Sequence, residues 1–224
     1  MQLVDIADIE ELSWLVERQL ANMFCYTDAK GITLPYQHGV MAKLEKCFAY
    51  TSNKYYSNDT DTTFSPFHSA QYSIYLYHLS NIVYRKEGTN PLSERLYLLN
   101  KALHGVDWYY TVELPDVFIV EHPVGSVMGR AKYSNKFCFF QGCTIGGNKG
   151  KYPRLGEHVT LYAGSRVLGD CDIGNNVIIS AGALLIDENI PDNCIVFGGS
   201  RDIVIKRRTA EEIRERARHI WKPD

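Results

Sequence analysis

Apolar positions recur in two different rhythms along this 224-residue chain. Up to Gly105 the rhythm is helical. Ile9, Leu12, Leu15, Val16 and Leu20 fall on one face of a helix predicted to begin near Asp8. A second helix is predicted over Val40–Phe48, and the polar run Ser52–Thr63 reads as a loop. Pro66 reads as the opening of a third, in which Phe67, Ile74, Tyr77 and Val83 keep helical spacing. The fourth is punctuated at both ends, with Asn90 as N-cap, Pro91 at the first helical position and Gly105 just past the last. The aromatic stripe Tyr72, Tyr75 and Leu79 reads as core or oligomer surface.

After Gly105 the period becomes six. From Leu155 the chain divides into LGEHVT, LYAGSR, VLGDCD, IGNNVI, ISAGAL and LIDENI, each opening on Leu, Ile or Val. The fifth place holds Val159, Ser165, Cys171, Val177 and Ala183 before drifting to Asn189. Upstream, VMGRAK, YSNKFC and FFQGCT carry the frame back to Val127. One aliphatic and one small inward place per six residues marks a hexapeptide solenoid, three units to a triangular coil. Gly and Asn suit its corners because they tolerate φ > 0. The expected fold is α+β: a helical domain over 1–105, a left-handed parallel β-helix over 106–208 and a C-terminal helix over 209–224, announced by a Thr209–Glu212 capping box.

The frame breaks once. Ten residues separate Ile145 from Leu155 where six would keep register, so about four are extruded within GGNKGKYPR. A loop pushed from rigid coils is a natural place for function, and Lys149, Lys151 and Arg154 suggest an anionic partner.

Composition narrows the classes. Hydrophobic residues make up 45% and charged residues 22%, as in soluble globular proteins. A net charge of −2 offers no field for nucleic acid or acidic membranes. No apolar run is long enough to span a bilayer, and the acidic start MQLVDIADIEEL is unlike a secretory signal, so a cytoplasmic protein is expected. Cys25, Cys47, Cys138, Cys143, Cys171 and Cys194 lack metal spacing and read as structural thiols.

The candidate chemistry centres on His122, in the turn-forming stretch VEHPVGSVMG. Transfer of an acyl group from a thioester to a hydroxyl needs a base active near pH 7, and histidine suits it. Asp107, Glu113, Asp116 and Glu121 are carboxylates near in sequence, and chain order does not choose among them. Asp107, 15 residues upstream, could lie beneath His122 if the first coil is short. His158 reads as a surface corner; His68 and His78 belong to a helix. A zinc centre would need three histidines, and only His122 and His158 fall in the repeats, so no metal is expected.

Three motifs then resemble one family. FHSAQ at 67–71, the ungapped GVDWYYTVELPDVFIVEHPVGSVMG and CTIGG at 143–147 resemble serine acetyltransferase, and the likeness runs from Phe67 to about Ile205. The resemblance implies acetyl transfer from acetyl-CoA to the hydroxyl of L-serine in a ternary complex, as in cysteine biosynthesis. His122 would be the general base, Asp107 its carboxylate partner, and Glu121 a ligand of the serine amino group. Asp59 or Asp61 would supply a further carboxylate from the helical half. Acetyl-CoA would meet Gly147, Asn148, Ala163 and Ala181, with its phosphates near Lys206, Arg207 and Arg208, between subunits of a homotrimer or dimer of trimers.

The chain also departs from the family. Lys151, Tyr152 and Pro153 stand where the family has an Arg-His-Pro that contacts serine, which puts Tyr152 in the acceptor pocket. The closing coil reads VFGGSRDIVIK without Gly-x-Pro-Ala-Arg. The isoleucine tail that docks family members to cysteine synthase is absent, so that partnership is not carried over. A sugar, another amino acid or an antibiotic hydroxyl stays open as acceptor, as does a non-catalytic scaffold.

Overall fold

A computed structural model describes residues 1–26, 30–58, 60–199 and 201–223. The helical half contains α1 (Ile9–Phe24), α2 (Gln37–Phe48), α3 (Ser69–Glu87) and α4 (Pro91–His104). Local chemistry sets their ends. Asp8 caps α1 by accepting from the Glu11 amide at 2.9 Å. Asn90 and Ser93 form a capping box on α4, and Gly105 ends it with φ 64°. The start of α3 differs from the expectation. Pro66 and Phe67 lie in a turn outside the helix, and Phe67 is 70% exposed. The cap is His68, whose ring accepts from the Gln71 amide, and a side-chain cap outweighs the proline signal here. The α3 helix is buried from Ala70 to Val83 because α2, α4 and the first solenoid strand pack around it. Tyr72 and Tyr75 stack inside that core, 5.6 Å apart.

Short parallel strands then wind into a left-handed β-helix. The first face stacks β3 (Phe118–Glu121), β5 (Phe137–Phe140), β8 (Val159–Leu161), β11 (Val177–Ile179) and β14 (Cys194–Phe197). The second stacks β4 (Val127–Met128), β6 (Thr144–Gly146), β9 (Arg166–Leu168) and β12 (Leu184–Ile186). The third holds β7 (Arg154–Leu155), β10 (Asp172–Ile173) and β13 (Asn189–Ile190). A further pair, β1 (Gln2–Leu3) with β2 (Thr63–Phe64), ties the N-terminus to the helical half. The last strand, β15 (Val204–Arg207), folds back antiparallel on β14, and α5 (Ala210–Arg216) follows behind its Thr209–Glu212 capping box.

Fully buried columns run down the inside: Val120, Phe139, Leu161 and Ile179 on the first face, and Met128, Ile145, Val167 and Leu185 on the second. Met128, not Val127, therefore points inward in the first coil; Val127 faces out and is 38% exposed. The expected frame is one residue out there, because eleven residues separate Met128 from Phe139 where two six-residue steps need twelve, and the apolar neighbour Val127 conceals the shortfall. Cys47, Cys138, Cys143, Cys171 and Cys194 are buried free thiols, and Cys25 is exposed. Among the described residues no helix is long and apolar enough to cross a membrane.

Candidate functional site

Two insertions lengthen the six-residue spacing, and both flank the second face. Phe139 to Ile145, Leu161 to Val167 and Ile179 to Leu185 are each six residues, whereas Val120 to Met128 is eight. The Glu121 backbone still pairs with Phe140, and Val124 accepts from the amide of Gly142 just beyond Gln141. The two added residues are therefore His122 and Pro123. They form a bulge at the corner between the first and second faces. His122 takes the left-handed conformation, φ 54°, and its side chain is exposed.

The second interruption is the extruded segment. Thr144 pairs with Arg166, 22 residues on, against 18 for Arg166 with Leu184, so four residues are added. They form a tight hairpin rather than an open loop. Asn148 and Lys151 exchange backbone bonds of 3.0 and 2.9 Å, and Lys149 and Gly150 turn with φ 49° and 76°. Two of its three cations already have carboxylates. Lys151 meets Asp170 at 3.2 Å, and Arg154 meets Asp170 at 3.4 Å and Asp172 at 3.5 Å. The basic character of the segment is thus largely neutralised within the chain. Tyr152 packs flat against Gly147, where a Cβ would come within 2.7 Å of its ring. Arg130 lies over the other side of that ring, 5.1 Å from its centroid. Sequence reading missed Arg130, whose partner belongs to the next coil.

At the His122 corner, Glu121 is half-buried and accepts from Asn53 Nδ2 at 3.1 Å. His68 stands nearby, its ring 5.5 Å from that of Tyr56. Burial lowers the His68 pKa; Glu121 raises it and His122 lowers it further, so the three side chains share one electrostatic environment. Asn53 is a second residue that sequence reading missed. Of the helical-half carboxylates, Asp61 is exposed and accepts from Thr60 at 3.1 Å, and Asp59 lies outside the described residues.

Asp107 stacks beneath Val127, 20 residues on, and not beneath His122. Its oxygens accept from Tyr97 Oη and Lys101 Nζ, each at 2.7 Å, so both are already engaged. Glu113 pairs with Arg85 at 2.9 Å and Asp116 with Lys46 at 2.7 Å. His158 is half-buried rather than a surface corner, and burial together with Lys136 and Arg214 lowers its pKa to about 4. Among the described residues no three His, Cys, Asp or Glu side chains converge on a metal position.

The remaining candidates follow the same corner down the solenoid. Hydrogen bonds from Gly164 to Gln141 and from Gly182 to Ala163 align Val124, Gln141, Ala163 and Ala181 in one column, with the His122 bulge at its head. Gly164 and Gly182 have open space where a Cβ would project, so a ligand could approach the backbone there. Gly147 and Asn148 sit at the other end of the second face. Tyr152 covers Gly147, and the Asn148 side chain donates to Asp187 at 3.1 Å. Lys206 and Arg207 are exposed on β15, with Lys206 over the Phe197 ring at 5.0 Å.

The bacterial transferase hexapeptide family (six repeats) matches residues 152–187. A serine acetyltransferase of Synechococcus elongatus is 34% identical over 105 residues, which is 45% of this chain and 43% of the relative. The chain thus spans under half the length of that curated relative. The serine acetyltransferase of Neisseria gonorrhoeae superposes with a TM-score of 0.71 at 19% identity, covering 94% of this chain and 84% of that one. A serine acetyltransferase solved in complex with CoA gives 0.68 at 17% identity, over 88% and 83% of the two chains. Sequence and fold are therefore similar to serine acetyltransferases.

Proposed function

We propose that this chain, whose solenoid carries the hexapeptide repeat and whose sequence and fold are similar to serine acetyltransferases, moves an acetyl group from acetyl-CoA to the hydroxyl of L-serine. The observation that carries the reading is the column: the one exposed histidine bulge in the coils heads the line of small residues at Ala163 and Ala181. At about 4.8 Å per coil, Ala181 lies roughly 14 Å below that head, so an extended thioester arm along the column would end at the imidazole.

In this reading His122 takes the acceptor's hydroxyl proton as the oxygen attacks the thioester carbonyl. The imidazolium returns that proton to the departing CoA sulfur, so the enzyme ends unchanged. Glu121 holds the acceptor's ammonium. Asp107 acts on the imidazolium through space, since it stacks beneath Val127 and not beneath His122. Ala163 and Ala181 border the pantetheine path, with Gly147 and Asn148 at its far side and Lys206 and Arg207 near the phosphates. Tyr152 bounds the acceptor pocket. The assembly is a cytoplasmic homotrimer or dimer of trimers; Val124, 62% exposed beside the His122 bulge, supports a neighbouring subunit there.

An assay of CoA release with L-serine, L-threonine, L-homoserine, a hexose and an aminoglycoside tests the reading. Turnover with L-serine at least about tenfold above every other acceptor is expected. Acetylation of a sugar with serine refused would overturn it in favour of the second reading, a different acceptor. That alternative is favoured by Tyr152 and Arg130 at the hairpin.

A further inference from the structure

Glu121 can serve an ammonium only if its carboxylate is preset, and a free glutamate side chain has three rotatable bonds to order. Asn53 does this presetting within an unambiguous geometry. Its Oδ1 accepts from the Tyr55 amide at 3.0 Å, which leaves Nδ2 as the group donating to Glu121 Oε1 at 3.1 Å. Its backbone carbonyl accepts from the amides of Tyr56, at 2.9 Å, and Ser57. Tyr56 is fully buried and its hydroxyl donates to the Val120 carbonyl at 3.4 Å, one residue before Glu121.

The segment leading to Asn53 is neither helix nor strand, and it is stitched to the far end of the chain. Thr51 forms an antiparallel bridge with Trp221. Thr51 Oγ1 donates to the Ile220 carbonyl at 2.8 Å, Ser52 Oγ donates to that of Arg218, and the Ser52 amide donates to Ile220 at 3.0 Å. The Lys222 amide returns a bond to the Tyr50 carbonyl at 2.8 Å. Ala217, Ile220 and Trp221 are buried, so the stitched segment is anchored and not merely laid on the surface.

We infer that Asn53 is a positioning residue for the acceptor site, and that the segment from Arg218 to Lys222 is the strap that holds it against Glu121. The strap couples the end of the chain to the carboxylate beside His122. It leaves Oε2 of Glu121 as the oxygen available to the acceptor's ammonium. The inference rests on the acetyl-transfer reading above.

The test is steady-state kinetics of the full-length chain with L-serine and acetyl-CoA varied in turn. Asn53→Asp keeps the acceptor for the Tyr55 amide but removes the donor to Glu121, so it separates a turn-forming role from a positioning one. Asn53→Ala and Asn53→Asp should each raise the KM for L-serine about tenfold or more, leaving the KM for acetyl-CoA within about twofold. Ser52→Ala removes the side-chain bond to the Arg218 carbonyl but leaves Thr51 Oγ1, which accepts from the Asn53 amide, in place. It loosens the strap without altering a partner of Asn53, and should raise the serine KM about threefold with the same selectivity. If Asn53→Ala fails to fold, the other two variants carry the test. Serine KM values matching the unaltered protein, or equal rises for both substrates, would overturn the inference while the proposed function stood. An unaltered protein that releases no CoA with L-serine would remove the proposed function, and this inference with it.

Discussion

The coils from Leu155 to Val196 and the first two coils, from Phe118 to Arg154, are built on the same six-residue rule, but only the first two carry insertions. In the later coils inward residues recur every six residues but for one five-residue step, from Leu185 to Ile190, glycines at 164 and 182 turn one corner, and no hairpin is extruded. In the first coil two residues bulge at His122–Pro123, and in the second the four-residue hairpin follows at the other end of the same face. The regular coils supply rigidity and the columns along which a long substrate can lie. The interruptions release side chains from the inward-outward alternation, and so present His122 on a bulge and Tyr152 beside a hairpin. Regularity positions; interruption presents chemistry.

That division can be broken from either side. Deleting Asn148–Lys151 would restore six-residue spacing and remove the hairpin under Tyr152. Acetyl transfer should fall at least about hundredfold, while thermal unfolding followed by circular dichroism shows the solenoid still folded. Retained activity would place the acceptor site elsewhere. Leu161→Ala attacks the regular part, emptying a fully buried inward position. It should cost roughly 2–5 kcal/mol of stability by chemical denaturation, with KM values for both substrates unchanged below the transition. A change in KM with little loss of stability would deny the separation.

Asp107→Asn sharpens the account of the corner. Because Asp107 stacks beneath Val127 and not beneath His122, its help to the imidazolium is indirect, and turnover should fall about tenfold. A loss as large as that from removing the histidine would mean that Asp107 bonds the ring directly during turnover. The smallest effect concerns the joint between the halves, where His78 of α3 packs 5.6 Å from Phe118 of the first coil. Burial lowers its pKa to about 3 from 6.5, so it is neutral when folded. The unfolded chain takes up this proton first as pH falls through 6.5. Stability should therefore fall with decreasing pH from there toward about 3, by up to roughly 1.4 kcal/mol per pH unit for this residue. His78→Leu should flatten the dependence of Tm on pH between about 6.5 and 4.5; an unchanged slope would contradict it.

What could be read from the sequence followed the same division. The α4 helix was legible to the residue because its caps, Asn90 and Gly105, are local. The repeats from Leu155 were legible because one aliphatic column persists through every unit. The first coil was not, since Val127 and Met128 are both apolar and the one-residue shortfall between Met128 and Phe139 leaves no compositional mark. Spacing likewise misplaced Asp107, because a coil with insertions is no longer a fixed ruler. At the start of α3, proline spoke for a helix that His68 caps two residues later. Asn53 sits in a polar run whose only notable feature, a contact 68 residues away, exists in three dimensions alone. The His122 corner itself was found because Pro123 and Gly125 mark a turn around a histidine and its residues resemble a family motif, not because period six revealed the bulge.

The most direct measurement is kcat for His122→Ala with L-serine and saturating acetyl-CoA, alongside its melting temperature. The bulge lies outside the packed column, so the melting temperature should stay within a few degrees while kcat falls at least about hundredfold. Turnover close to that of the unaltered protein would contradict the claim that the interrupted corner of the first coil carries the chemistry.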